Sequence, residues 1–404
     1  MHANFKELCE IGATIHGGVS RLALSNEDLQ ARAWLDRQLQ IAGFTVRDDD
    51  AGNLSGVLLS DDPDAKTFIL GSHLDSVPDG GCYDGSVGIL AAIECLRVIK
   101  EAGIKLPVHL EMIDFTDEEG CWHAHLGSRA LTGMLQNNYT SDTDHDYGPF
   151  RAALYRAGIP PTHVHKAKRD PATIAGYLEL HIEQSERLYE AVRPIGVVTH
   201  IAGRASYETT IQGEVAHSGT TSMEKRQDTL LGASTFIVEA HQLVREEFPG
   251  GLFNCERLDV SPGTFNTTPR QSRITWDCRH TNKEEMERMK DCLLQLAANL
   301  TQKHGLKVAH RPLTYTSVAT MAGRTVLAVE QVCKQLDIES MRLVGYSGHD
   351  GQMLSGFAPS GMIFIPSVEG ISHCPHEFTE WEHVVQGANV LLQTALILAQ
   401  DSGE

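Results

Sequence analysis

No Cys-x-x-Cys pair occurs in this chain, and its cysteines number nine, an odd count scattered over 404 residues. That usage excludes a disulfide framework as the organising device and points to reduced thiols, hence a cytoplasmic protein. No run of eighteen apolar residues is present, and the first ten residues lack a basic segment followed by an apolar one. Neither membrane insertion nor secretion is therefore expected. Positive charge is scarce: Lys plus Arg is 34 against Asp plus Glu 53, a formal net charge of −19. That balance argues against nucleic acid or an anionic membrane as partner. Internal repeats and low-complexity tracts are absent too. What the chain does have is 41% hydrophobic residues, enough for a sizeable core and two or three domains.

Periodicity organises the rest. Ser25-Asn-Glu-Asp28 resembles a capping box, and Leu35, Leu39 and Ala42 fall on one helical face before Gly43 closes it. Residues 44–59 alternate around Gly52-Asn53 as in a hairpin, and residues 87–100 form an apolar helix ending at Gly103. Strand, loop, helix, strand is a βα alternation, the mark of an α/β fold. From about Arg204 the texture changes. Strands over 205–213, 258–260, 272–278 and 306–310 alternate with helices over 229–247 and 283–304. That order predicts a split βαβ, ferredoxin-like α+β domain over 204–315, inserted into a discontinuous domain of 1–203 plus 316–404.

Polar motifs follow the apolar runs of the larger domain. Thr67-Phe-Ile-Leu70 leads into His73 and on to Asp84 within Gly71-Ser-His-Leu-Asp-Ser-Val-Pro-Asp-Gly-Gly-Cys-Tyr-Asp-Gly85. Residues 108–115 lead into Thr116-Asp-Glu-Glu-Gly120, Tyr177-Leu-Glu-Leu180 into His181-Ile-Glu-Gln184, and Gly361-Met-Ile-Phe-Ile365 into Ser372-His-Cys-Pro-His-Glu377. In open α/β sheets the carboxyl ends of strands converge on one crevice, so these residues can meet although far apart in sequence. Such convergence is what a two-metal hydrolase needs.

Taken with Ala216-His-Ser-Gly219, Trp276-Asp-Cys-Arg279 and Gly348-His-Asp350, these motifs resemble the amidase/hydantoinase/carbamoylase branch of the dinuclear metallopeptidase and aminoacylase superfamily. Each motif alone is weak, whereas the ordered set from Gly71 to His373 is specific. The resemblance implies a dinuclear-metal aminopeptidase-like catalytic domain, with 204–315 as a lid and dimerisation domain in a homodimer. It makes His73 and His181 ligands of one metal, Glu119 and His373 ligands of the other, and Asp84 the bridge. Imidazole and carboxylate suit two divalent ions per subunit, zinc, manganese, cobalt or nickel. Such a pair lowers the pKa of a shared water and polarises the substrate oxygen. Glu118 resembles the family's general base and later acid, and Asp75 an acceptor for the second N–H of the His73 imidazole.

The resemblance also implies substrate residues. His217 corresponds to a histidine that stabilises the developing oxyanion, often across a dimer interface. Arg279, helped by Asn266, suits a carboxylate, and Gln184 matches a residue near the substrate. His349 and Asp350 match a loop beside the site. Cys82, Cys121 and Cys374 receive no ligand role. One stretch departs from the pattern: Cys121-Trp-His-Ala-His-Leu126 replaces a somewhat longer insert containing an Arg-Phe pair. Trp122, His123 and His125 there could reshape the pocket, with aromatic packing on the lid the expected role, and the departure leaves the substrate open more than the chemistry. The expected activity is hydrolysis of a linear C–N bond in a small carboxylate-bearing N-carbamoyl or ureido compound. The alternative is an aminoacylase or dipeptidase using the same site. A non-catalytic binding protein would not need Glu118 beside a complete ligand set, and a phosphoesterase would want a basic cluster that the ligand motifs lack.

Overall fold

A computed structural model describes residues 1–135 and 147–401. The chain divides into two compact units, one of residues 1–199 with 320–404 and the other of residues 200–319. These limits lie a few residues outside 204–315, and the Gly203–Gln212 and Lys307–Thr316 strands run past the cuts read from the sequence.

The larger unit is built on a mixed sheet ordered Thr45–Asp48, Leu54–Leu58, His109–Phe115, Thr67–His73, Ile174–Ile182, Ser360–Ile365 and Ile195–Ile201. Its four middle strands, from His109–Phe115 to Ser360–Ile365, are mutually parallel. All nine residues of Ile174–Ile182 are buried, as expected of a parallel strand covered on both faces. Alternate residues point to opposite faces, and the two faces are closed differently. Ile69 packs with Ile113, Leu131, Tyr177 and Met353 on one side. On the other, Ser72 meets the Ser86–Glu101 helix at Gly88, where an added Cβ would lie 2.4 Å from the Leu180 carbonyl oxygen. Parallel pairing brings the carboxyl ends of the four strands to one edge, and the candidate ligands sit there.

Local signals account for several boundaries. Ser25 caps the Asn26–Ile41 helix by accepting the Asp28 N–H. The return bond comes from Leu24, whose N–H donates to Asp28 Oδ2 at 2.8 Å, one residue earlier than a capping box prescribes. The hairpin around Gly52 forms as the Thr45–Asp48 and Leu54–Leu58 pair. All nine cysteines are unpaired, and among the described residues no helix is long and apolar enough to cross a membrane.

The smaller unit carries an antiparallel sheet ordered Lys307–Thr316, Gly203–Gln212, Gln271–His280 and Leu252–Ser261. Helices Thr229–Glu247 and Lys283–His304 complete the split βαβ connectivity. Trp276, Phe236, Met289 and Leu293 form its core, and the buried Trp276 indole N–H donates to Thr209 Oγ1 at 2.8 Å. The strands extend beyond the short segments read from the sequence, because the register of Gln271–His280 against Gly203–Gln212 continues through polar residues.

A Gly88→Ala substitution should force the Ser86–Glu101 helix off the sheet and cost about 1–3 kcal/mol. Urea denaturation will show a lower midpoint. Because Leu180 precedes His181, metal content should fall with it; an unchanged midpoint would refute the close approach.

Candidate metal centre

Asp84 lies at the centre of the site, immediately before Gly85, whose φ of +62 suits a residue without a side chain. A Cβ on Gly85 would lie 2.5 Å from His73 Cε1, so glycine also admits the imidazole. His73 ends its strand, and its Nδ1 lies 3.0 Å from the Asp75 carbonyl oxygen. His181 Nδ1 lies 2.9 Å from the Ile182 carbonyl oxygen. Each ring nitrogen facing a carbonyl carries the proton, which leaves the Nε2 lone pairs for a cation. Those Nε2 atoms are 3.5 Å apart, and Asp84 Oδ1 is 3.6 Å from the first and 3.1 Å from the second. The other Asp84 oxygen turns to a second set: His373 Nε2 lies 3.1 Å from Oδ2 and 3.6 Å from Glu119 Oε2. Two potential ligand groups, His73–Asp84–His181 and Asp84–Glu119–His373, thus share one carboxylate.

The electrostatics of these side chains fit divalent cations. Burial pushes the Glu119 carboxyl well above the usual range, and Asp84 and Glu118 push it further. Its Oε1 is buried without a hydrogen-bond partner. Burial opposes ionisation of Asp84 as well, but hydrogen bonds to His181, His373 and His73 outweigh it and hold that carboxyl well below the usual range. Burial disfavours charged His73 and His181 too, yet Glu118, Asp84 and Asp75 raise the first, and Asp84 and Glu179 raise the second. A buried acid cluster of this kind is stable only when positive charge neutralises it. Cations bound to neutral imidazoles supply that charge without protonating the ligands. Exposure differs between the sets: the His73 and His181 side chains are 1% exposed, whereas His373 is 47% exposed.

Glu118 lies beside the first set, with Oε2 3.7 Å from His73 Nε2 and Oε1 3.3 Å from His125 Nδ1. Burial pushes its carboxyl up, but the fields of His73 and His125 prevail and bring it down to about 2, so it is ionised at neutral pH. Asp75 acts differently from its expected part. The main-chain carbonyl, not the carboxylate, faces His73 Nδ1, and the carboxylate oxygen stands 3.8 Å away. That carboxylate accepts the N–H groups of Glu118 and Glu119, both at 3.2 Å, because the left-handed Asp117 turns two successive amides towards it. Gln184 sits on ligand atoms, its Nε2 2.8 Å from Asp84 Oδ2 and 3.1 Å from His373 Nε2. Asp117, His125, Gln184 and His373 all have positive φ, a concentration of backbone strain typical of functional sites.

His217, Asn266 and Arg279 belong to the smaller unit. His217 pairs with Thr267 in a two-stranded antiparallel sheet, and Ser218 donates its N–H to the Asn266 carbonyl at 3.0 Å. Arg279 lies apart from them on the Gln271–His280 strand, paired with Asp277 at 3.0 Å. His349 and Asp350 are buried in the larger unit, His349 against the edge of His181 at 4.4 Å between ring centres. Trp122 stacks on Phe150 at 5.6 Å and donates its indole N–H to the Ala23 carbonyl. One residue escaped notice in the sequence. Glu377 Oε1 accepts the N–H groups of Tyr83 and Asp84 at 2.9 and 3.0 Å, and its Oε2 lies 2.7 Å from Ser372 Oγ. It ties the Asp84 loop to the His373 loop. His125, singled out with the atypical Cys121–Leu126 stretch, stands beside Glu118.

Two ligand groups joined by a carboxylate at the carboxyl edge of a parallel sheet are the arrangement of a dinuclear metal-dependent hydrolase. Residues 69–397 match Peptidase family M20/M25/M40. The chain belongs to that family, in its hydantoinase/carbamoylase branch of amidases. It is 34% identical to an N-carbamoyl-L-amino acid amidohydrolase of Geobacillus stearothermophilus, over 98% of this chain and 97% of the relative. It is 30% identical to an allantoate amidohydrolase of Bacillus subtilis, over 97% and 95%. Among solved structures, an amidase of the hydantoinase/carbamoylase family from Burkholderia multivorans superposes with a TM-score of 0.85 at 32% identity, covering 98% and 97%.

Glu377→Ala should release the amides of Tyr83 and Asp84 and weaken metal affinity by roughly 10- to 100-fold. Titration with a chelator, followed by metal analysis, will show the loss. An unchanged midpoint would mean that Glu377 does not support the bridge.

Proposed function

We propose that the protein hydrolyses a linear C–N bond in a small carboxylate-bearing N-carbamoyl or ureido compound. The observation that carries this reading is the division of Asp84 between two ligand groups, with an ionised Glu118 beside them. The names of the two relatives supply the substrate class. His73 and His181 would hold one ion and Glu119 and His373 the other, with Asp84 common to both sets. Bound there, the ions would supply Lewis acidity towards water and the scissile carbonyl.

Glu118 accepts a proton from the attacking water and delivers it to the leaving nitrogen. Its burial keeps that proton from bulk solvent, and Asp75 holds its main-chain amide in place. Substrate enters from the His373 side, the more exposed of the two ligand groups. In the smaller unit, Arg279 receives the carboxylate, whereas Asn266, which lies apart from it beside His217, joins that histidine in stabilising the oxyanion. Cleavage of a carbamoyl group gives the free amine and a carbamate, which decomposes to ammonia and carbon dioxide. The smaller unit serves as lid and dimerisation domain. Leu231 and Val238, 50% and 66% exposed on the Thr229–Glu247 helix, mark its contact face in a homodimer.

A panel of N-carbamoyl amino acids, ureido acids and N-acetyl amino acids, run on protein loaded with zinc, manganese, cobalt or nickel, tests the substrate class. Ammonia release from the carbamoyl or ureido compounds is expected; turnover of the N-acetyl compounds alone would replace this reading with an aminoacylase. Glu118→Gln should keep its metal and lose about 10²- to 10⁴-fold in kcat, and full activity would remove Glu118 from proton transfer. Val238→Glu should shift sedimentation from dimer to monomer, whereas an unaltered dimer would move the interface elsewhere.

A further inference from the structure

We propose that His125 is the positioning residue of the Glu118 carboxylate: its Nδ1–H donates to Glu118 Oε1 and leaves Oε2 turned to the ligand atoms. This rests on the reading that Glu118 transfers the proton. The two residues approach each other at two places. The His125 main-chain N–H donates to the Glu118 carbonyl at 3.1 Å, and His125 Nδ1 stands 3.3 Å from Glu118 Oε1. His73 Nε2 lies 3.7 Å from Oε2, and the buried His349 also bears on that carboxylate. As a metal ligand His73 has no proton to donate, and His125 is the ring that stands 3.3 Å from a Glu118 oxygen, so the orienting bond falls to it.

The loop between Glu118 and His125 is built to hold the ring still. Asp117 accepts the N–H groups of Trp122 and His123 at 3.1 and 2.6 Å, and Trp122 is anchored by Phe150 and Ala23. His125 adopts φ 58 and ψ 37 at the N-cap of the Leu126–Thr132 helix, a conformation that non-glycine residues seldom take. Behind the ring lies Gly348, where a Cβ would come within 2.8 Å of His125 Nε2. The imidazole therefore sits between that glycine and Glu118, with each nitrogen facing one of them.

The test compares His125→Ala with His125→Asn. Asparagine tolerates the left-handed backbone and keeps an N–H donor close to the Nδ1 position. For the alanine variant kcat should fall by roughly 10- to 100-fold with KM and metal content unchanged, while the asparagine variant stays within about threefold of wild type. A rise in KM without loss of kcat would make His125 a substrate contact instead and overturn the proposal, as would full kcat in the alanine variant. A second readout needs no substrate. In ¹⁵N-histidine spectra of the zinc-loaded protein, the resonances missing from His125→Asn identify His125, whose proton should reside on Nδ1. Glu118→Ala should move it to Nε2. A tautomer indifferent to Glu118 would sink the proposal even if ureido turnover is confirmed; should no ureido compound be hydrolysed, the spectra still decide it.

Discussion

The two oxygens of Asp84 constrain the whole site. One faces the Nε2 atoms of His73 and His181, the other faces His373, so a single side chain sets how far apart the two ligand groups stand. Three features hold that carboxylate. Gly85 takes a backbone angle that lets the chain turn without striking His73. Glu377 accepts the amide of Asp84 itself. The parallel pairing of Thr67–His73 with Ile174–Ile182 brings both imidazoles to one edge. Removing any of the three would leave the ligands present and the spacing lost.

Crowding acids into a buried place makes the site dependent on positive charge. Burial and neighbouring carboxylates oppose the ionisation of Glu119 and Asp75, whereas imidazoles outweigh burial at Glu118 and Asp84. A carboxylate without a counterion in such surroundings is costly, which is why the acidic composition of the chain matters locally as well as globally. The cost is unequal across the site. His73 and His181 are sealed, and His373 opens to solvent, so the second ligand group retains the freedom to admit water and substrate.

Much of this was legible in the chain. Apolar runs ending in His73, Thr116-Asp-Glu-Glu, His181 and, further on, His373 announce parallel strands and the edge where their ends meet. The smaller unit's order of strands and helices was equally plain, and its two helices fall where the sequence places them. What stayed hidden depends on loop geometry. Nothing in the spacing of Asp75 tells that its main-chain oxygen faces His73 while its carboxylate turns to the Glu118 and Glu119 amides. That outcome depends on a left-handed Asp117. Gln184 and Glu377 reach Asp84 from loops about a hundred and three hundred positions away, and no local pattern encodes such meetings.

The sheet order has a consequence for the birth of the protein. Ser360–Ile365 lies between Ile174–Ile182 and Ile195–Ile201, so a strand from the last part of the chain fills the middle of the larger sheet. Residues 200–319, being continuous, contain every strand of their own four-stranded sheet. During synthesis the insert can close while its host still has a gap, since contiguous units fold as they emerge. The host must then wait for nearly the entire polypeptide, and His373 arrives only after that final strand. Metal capture is therefore a late event, following translation, and a ribosome that stops early releases a chain with an exposed sheet edge and half a cage.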